Sequence, residues 1–130
     1  MLKVTSVKNH LKSVFSDTKF YVGIINRKED KCVGVYPRGA SLKNIAIGGL
    51  NNTSVWYLPI TLLVHWTDNS EQCEIKAQEL YEYFLNNNDV TIDGRRIIDF
   101  NLLDSGPIDM SRDEKNICEM VIRMNIAYER

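Results

Sequence analysis

The stretch VWYLPITLLVHWT, residues Val55 to Thr67, decides the fold. Trp56, Leu58, Ile60, Leu62, Val64 and Trp66 occupy alternate positions, with Tyr57, Pro59, Thr61, Leu63 and His65 between them. Successive side chains of a strand point to opposite faces. This period of two therefore predicts a long strand with its even positions against a core and His65 on the polar face. Pro59 has no N–H to donate to a ladder, which places it at an edge or bulge rather than inside a fully paired central strand. The pattern returns near the C-terminal end, where Cys118, Met120, Ile122, Met124, Ile126 and Tyr128 are apolar and Glu119, Arg123, Asn125 and Glu129 sit between them. A second long, half-buried strand is predicted there.

Between these two strands the period changes. Asp68-Asn69-Ser70-Glu71 offers N-cap chemistry, and Cys73, Ala77, Leu80, Tyr81, Phe84 and Leu85 then form a helical stripe that ends at Asn86-Asn87-Asn88-Asp89. Val90-Thr91-Ile92 and Arg95 to Ile98 flank Asp93-Gly94, a pair suited to the positive φ angles of a tight hairpin turn. Phe100 to Leu103 continues that strand, and Ser105-Gly106-Pro107 breaks it. Upstream, Val4, Val7, Leu11, Val14 and Phe15 recur at helical spacing as far as Ser16-Asp17. Phe20 to Ile25 and Cys32 to Pro37 are short, β-branched and aromatic-rich, and read as a hairpin across the charged stretch Asn26 to Lys31. These elements add up to an α+β fold, an antiparallel or mixed β-sheet packed against two helices. With 130 residues, the chain suits one domain spanning 1–130.

Arg38 to Ser54, RGASLKNIAIGGLNNTS, breaks the pattern. It is rich in Gly, Asn and Ser, yet carries Leu42, Ile45, Ile47 and Leu50 without a period. Unstructured stretches this long are uncommon in compact domains and tend to be functional. It reads as a long loop or arm whose apolar side chains need a partner, on this subunit or on a neighbour.

Composition narrows the function classes. At 44% hydrophobic and 25% charged residues the chain is that of an ordinary folded protein, which disfavours disordered, collagen-like and membrane classes. A net charge of −1 leaves no excess of Lys and Arg to neutralise many phosphates. Strong DNA binding by one subunit is disfavoured, whereas a near-neutral surface suits a channel through which DNA passes without sticking. Cys32, Cys73 and Cys118 are odd in number, contain no CxxC pair and read as reduced core thiols. No long apolar N-terminal region indicates a signal peptide, and Pro59 and Thr61 interrupt the longest apolar run.

Signals for catalysis are weak. Gly48-Gly49 is not followed by Lys-Ser or Lys-Thr, so no phosphate-gripping loop is predicted, and Gly23 and Gly34 stand alone within strands. His10 and His65 have no HxH or HExxH context, and a metal site needs three or four convergent ligands. Asp99, Asp104, Asp109 and Asp113 read as solvated loop carboxylates. Cys118 falls on the apolar parity opposite His65, which favours core packing over a nucleophile and base. Arg95-Arg96 and Arg38 are too few cations for a DNA footprint. No catalytic, cofactor or metal residues are assigned, and an enzyme is not expected.

The segments LPITLLVHWTDN (58–69), AQELYEYF (77–84) and GPIDMSRDEKNICEMVIRMNIAYER (106–130) resemble the small minor capsid proteins of phages infecting Gram-positive bacteria. The resemblance covers about Val55 to Arg130; the first half matches mainly in element order and in the Gly-Gly loop before the long strand. That family is similar in fold to the tail-terminator proteins of long-tailed phages. The resemblance implies a virion protein assembled in the host cytoplasm, whose subunits form a homohexameric ring. Its implied partners are the tail tube, a head-completion or connector protein, and phage DNA crossing the lumen without specific binding. No cofactor or membrane is implied. Arg38, Leu42, Ile45, Ile47 and Leu50 are the candidate interface residues on the arm. One alternative is a head-completion or stopper protein. Another, from a different class, is a small ligand-binding or hydrolytic domain using His65 and an acidic loop.

Overall fold

A computed structural model describes residues 2–26, 28–38, 55–87 and 89–129. Its elements in chain order are α1 (Val4–Val14), β1 (Phe20–Val22), β2 (Lys31–Pro37), β3 (Val55–Trp66), α2 (Ser70–Asn86), β4 (Thr91–Ile92), β5 (Arg95–Leu102), β6 (Ile108–Arg112) and β7 (Cys118–Glu129). The strands form one mixed sheet in the order β1-β2-β3-β7-β5-β4, with β6 also paired to β7. This is the expected α+β class.

The two strands with period two make the centre of the sheet. β3 and β7 pair antiparallel from Val55↔Glu129 to His65↔Glu119. Their even positions Leu58, Ile60, Leu62, Val64, Ile122, Met124, Ile126 and Tyr128 are buried. They join Val7 and Leu11 of α1 and Ala77, Leu80, Tyr81 and Phe84 of α2 in one core. Both helices therefore cover the same face. The aromatic heart is tight: Phe84 meets Tyr83 and Phe100 edge-on, at centroid separations of 5.3 and 5.0 Å.

α2 starts where N-cap chemistry predicts, the Asn69 side chain accepting the Gln72 N–H at 3.2 Å. Its stripe differs in one place from the reading of the sequence. Leu85 is exposed, and Lys76 is buried in its stead. The Lys76 ammonium donates to Thr18 Oγ1 at 2.8 Å and lies 5.0 Å from the Phe15 and Trp66 ring centroids. A hydroxyl and two ring faces thus replace the water it loses. On α1, Val14 is likewise turned out, while Val7 and Leu11 are buried. The Asp93-Gly94 hairpin forms as expected, with φ of 52° and 74°.

Three features of the strands go beyond or against the sequence reading. First, β1 and β2 do not form a hairpin but run parallel, Phe20↔Val33 to Val22↔Val35. The chain turns at Gly23 (φ 81°), whose N–H donates to Val35 O at 3.0 Å, and returns across the sheet face away from the helices. Gly34 permits that return, since a Cβ there would sit 2.7 Å from Ile25 Cγ2 and 2.5 Å from the Tyr36 ring. Second, Pro59 lies in β3 in register with Asn125 of β7, but beyond the last β2 pair, so it avoids a fully paired position as its missing N–H requires. It is tolerated because its nitrogen faces the β2 side, where pairing stops at Pro37↔Ile60. Third, Ile108–Arg112 is a strand that periodicity did not reveal. It sits at the edge with a mostly exposed pattern, and it shares one flank of β7 with β5, pairing Ile108↔Val121 while β5 pairs Leu102↔Met124.

Candidate functional surfaces

Arg38 is fixed to the sheet. Arg38 N–H donates to Pro59 O at 3.1 Å, but Pro59 has no N–H to return to the Arg38 carbonyl, so the β2 ladder ends there. The guanidinium then folds back onto the sheet. Nη1 donates to Ile60 O at 2.6 Å and to Met124 O at 3.0 Å, and Nη2 donates to Asn125 Oδ1. Partial burial, and secondarily the nearby Arg123 charge, lower the Arg38 pKa, though a guanidinium remains charged throughout the working range. Beside it Arg123 grips Asp104 with two bonds, Nη2 to Oδ1 at 2.8 Å and Nε to Oδ2 at 3.0 Å, which hold that carboxyl below the usual range. The sheet face away from the helices thus carries a polar row, Arg38–Asn125 and Arg123–Asp104, at the end of β2. Leu42, Ile45, Ile47 and Leu50 lie outside the described residues.

The remaining sequence candidates separate. His65 is not on a solvated face; it is fully buried, opposite Cys32 on β2 and Glu119 on β7. Parity placed it on the correct face but could not show that this end of the face is covered. Cys118 is buried on the opposite face, where its carbonyl receives the Cys73 thiol at 3.6 Å, so the two do not meet as nucleophile and base. Burial pushes the Cys73 thiol up to about 12, the behaviour of an inert core cysteine. His10 Nε2 lies 2.6 Å from the Tyr83 hydroxyl, tying α1 to α2, and burial lowers its pKa. Of the four aspartates, Asp104 serves Arg123 and Asp109 accepts the Ser111 N–H. Asp113, read as solvated, is instead largely covered and faces His65. Arg96 is exposed and pairs with Glu129 at 2.9 Å.

Among the described residues, exposed apolar side chains include Val14 on α1, Val22 on β1, Ile24 on the crossing loop, Ile75 and Leu85 on the outer side of α2, Ile98 on β5, and Leu103 and Met110 around β6. Among the described residues, β6 pairs only with β7, so its other edge is an outer edge of the sheet. Outer strands with exposed apolar side chains are the features from which subunit contacts are built. No helix among the described residues is long and apolar enough to cross a membrane.

The architecture is that of an α+β protein whose outward features, among the described residues, are strand edges and exposed apolar side chains. The family described as bacteriophage tail terminator protein matches residues 6–130, and the chain belongs to that family. No curated protein matches it. Membership makes it a structural phage protein of the virion, in line with the resemblance seen in its second half.

Proposed function

We propose that the chain is a ring-forming terminator subunit that caps the tail tube and joins it to the head, in a closed homohexamer. The observation that carries this reading is the family match over residues 6–130, because a terminator acts by covering the end of a tube. The tail tube protein contacts one ring face and a head-completion or connector protein the other. Phage DNA crosses the lumen without specific binding, which a net charge of −1 suits. The subunits assemble in the host cytoplasm.

Neighbouring subunits meet through the arm rooted at Arg38 and through outer strand edges such as β6. Leu42, Ile45, Ile47 and Leu50 supply the apolar contact of the arm. Light scattering behind size exclusion, with electron microscopy of the peak and of tail ends, tests the reading: six-fold rings are expected in solution or on tails. A protein that stays monomeric and is absent from tail ends refutes it. Replacing Ile45 and Ile47 together with Asp is expected to abolish ring formation or tail joining while leaving the thermal midpoint unchanged; unaltered phage assembly excludes the arm as the contact.

A further inference from the structure

We propose that His65, Asp113 and Glu119 form a site for one divalent transition-metal cation, Zn2+ or Mn2+, which clasps the β6–β7 turn onto the end of β3. The three side chains come from three separate places in the chain, yet their ligand atoms lie within 4.8 Å of one another. His65 Nδ1 is 2.9 Å from Glu119 Oε2 and 3.8 Å from Asp113 Oδ2. An ion with bonds of about 2.1 Å holds neighbouring ligands roughly 3.0 Å apart in octahedral and roughly 3.4 Å apart in tetrahedral geometry. The observed spacings bracket those values, so small side-chain rotations complete the cage.

Each ligand is held in place by something other than the ion. Asp113 Oδ1 accepts the N–H groups of Lys115 and Ile117, both at 2.9 Å, and the Asp113 N–H donates to Ile117 O at 3.0 Å. That turn leaves Oδ2 directed at the imidazole. Glu119 stands directly across the β3–β7 ladder from His65. The imidazole is completely buried, and its Nε2 has no hydrogen-bond partner among the described residues, so its polar contacts all lie on the carboxylate side.

Electrostatics points the same way. The Asp113 and Glu119 side chains are only 9% and 13% exposed, and two covered carboxylates converge on one imidazole. Covered anions are costly unless a positive charge lies among them. Two cationic side chains, Arg112 and Lys115, line the same pocket, and Arg112 directs its Nη1 to Asp68 O and Asn116 O at 2.8 and 2.9 Å. A cation bound directly by the three ligands adds positive charge at the shortest range. One imidazole with two carboxylates, and Cys118 turned to the other face, suits Zn2+ or Mn2+ over thiophilic ions. The pocket outside, about 520 Å³ and lined by Arg112, Asp113, Glu114, Lys115 and Glu119, gives an entry path and room for water ligands.

The test is titration of chelator-treated protein with Zn2+, Mn2+ and Ca2+, followed by calorimetry and thermal unfolding. Expected are one saturable Zn2+ or Mn2+ site per chain, weaker Ca2+ binding, and a rise of roughly 10 °C in the thermal midpoint at a hundredfold excess over Kd. Asp113→Asn keeps an oxygen for the Lys115 and Ile117 N–H groups but removes the facing carboxylate, and Glu119→Gln removes the other. Each is expected to weaken binding by about tenfold or more, whereas Glu114→Gln at the rim leaves it within about twofold. On unsubstituted protein, Mn2+ should broaden the amide resonances of residue 65 and residues 113–119 before any others, a readout independent of whether the variants fold. Absence of saturable binding at millimolar metal overturns the proposal. So does binding that both variants retain, or broadening that begins elsewhere; the cluster is then a histidine–carboxylate ion pair only.

Discussion

Replacing Arg38 separates a structural role from an interface role. By sequence it is the first residue of the arm, and by structure its guanidinium binds its own sheet through Ile60 O, Met124 O and Asn125. Arg38→Ala removes all three bonds. A hydrogen bond from a charged donor contributes about 1.5–3 kcal/mol, but the sum overstates the loss. The two carbonyls belong to the paired β3–β7 register, and the guanidinium is only partly covered. The side chain left worst off is Asn125, which is buried. A net cost of about 2–3 kcal/mol follows. Unfolding entropy of about 2.1 cal/mol/K per residue over 130 residues amounts to about 0.27 kcal/mol/K, so the thermal midpoint should fall by roughly 7–11 °C. Arg38→Lys, which offers a single ammonium in place of the planar fork, should lose about half as much. Circular dichroism melts of the two variants, beside light scattering, make the assay. A midpoint within about 2 °C of the parent for Arg38→Ala, with assembly lost, refutes the reasoning and makes Arg38 an interface residue.

The core supplies further tests, at Phe84 and at Cys73. Phe84→Ala empties the space between Tyr83 and Phe100 and should cost about 3–5 kcal/mol in urea unfolding. A double-mutant cycle of Phe84→Leu with Phe100→Leu should return a coupling of about 0.5–1.5 kcal/mol, and a coupling near zero contradicts the edge-on packing. For Cys73, a thiol pKa raised to about 12 from an ordinary 9.0 means that the folded state holds its proton where the unfolded chain releases it. Its contribution to stability is therefore full below pH 9 and declines as the pH rises toward 12. Cys73→Ala should flatten that alkaline decline, and in the parent protein at pH 8 Cys73 should resist thiol reagents until the chain unfolds; labelling of Cys73 at the rate of a free thiol contradicts both.

Much of the fold was legible because it is local. The alternation in β3 and β7, the Asn69 cap with the stripe on α2, and Asp93-Gly94 each express a backbone period or turn that the residues impose on themselves. β6 escaped notice because an exposed edge strand has no apolar face to alternate. Lys76 was invisible within its stripe because its burial depends on Thr18, Phe15 and Trp66, all remote in sequence. The candidate site was least legible. His65, Asp113 and Glu119 carry no spacing motif, since an ion-sized cluster needs only convergence in space.

By itself the sequence determined the α+β class, the two central strands, their core-facing positions and the main helix, because side-chain period reports which face of an element is apolar. Its second half also resembled the family to which the chain belongs. Tertiary structure alone decided what covers the other face. There the chain returns from β1 over Gly34 to make a parallel pair, Arg38 turns inward at the point where Pro59 ends a ladder, and the β6–β7 turn brings Asp113 over His65. The physical reason is that parity assigns a side chain to a face, whereas burial depends on whichever distant segment closes over that face.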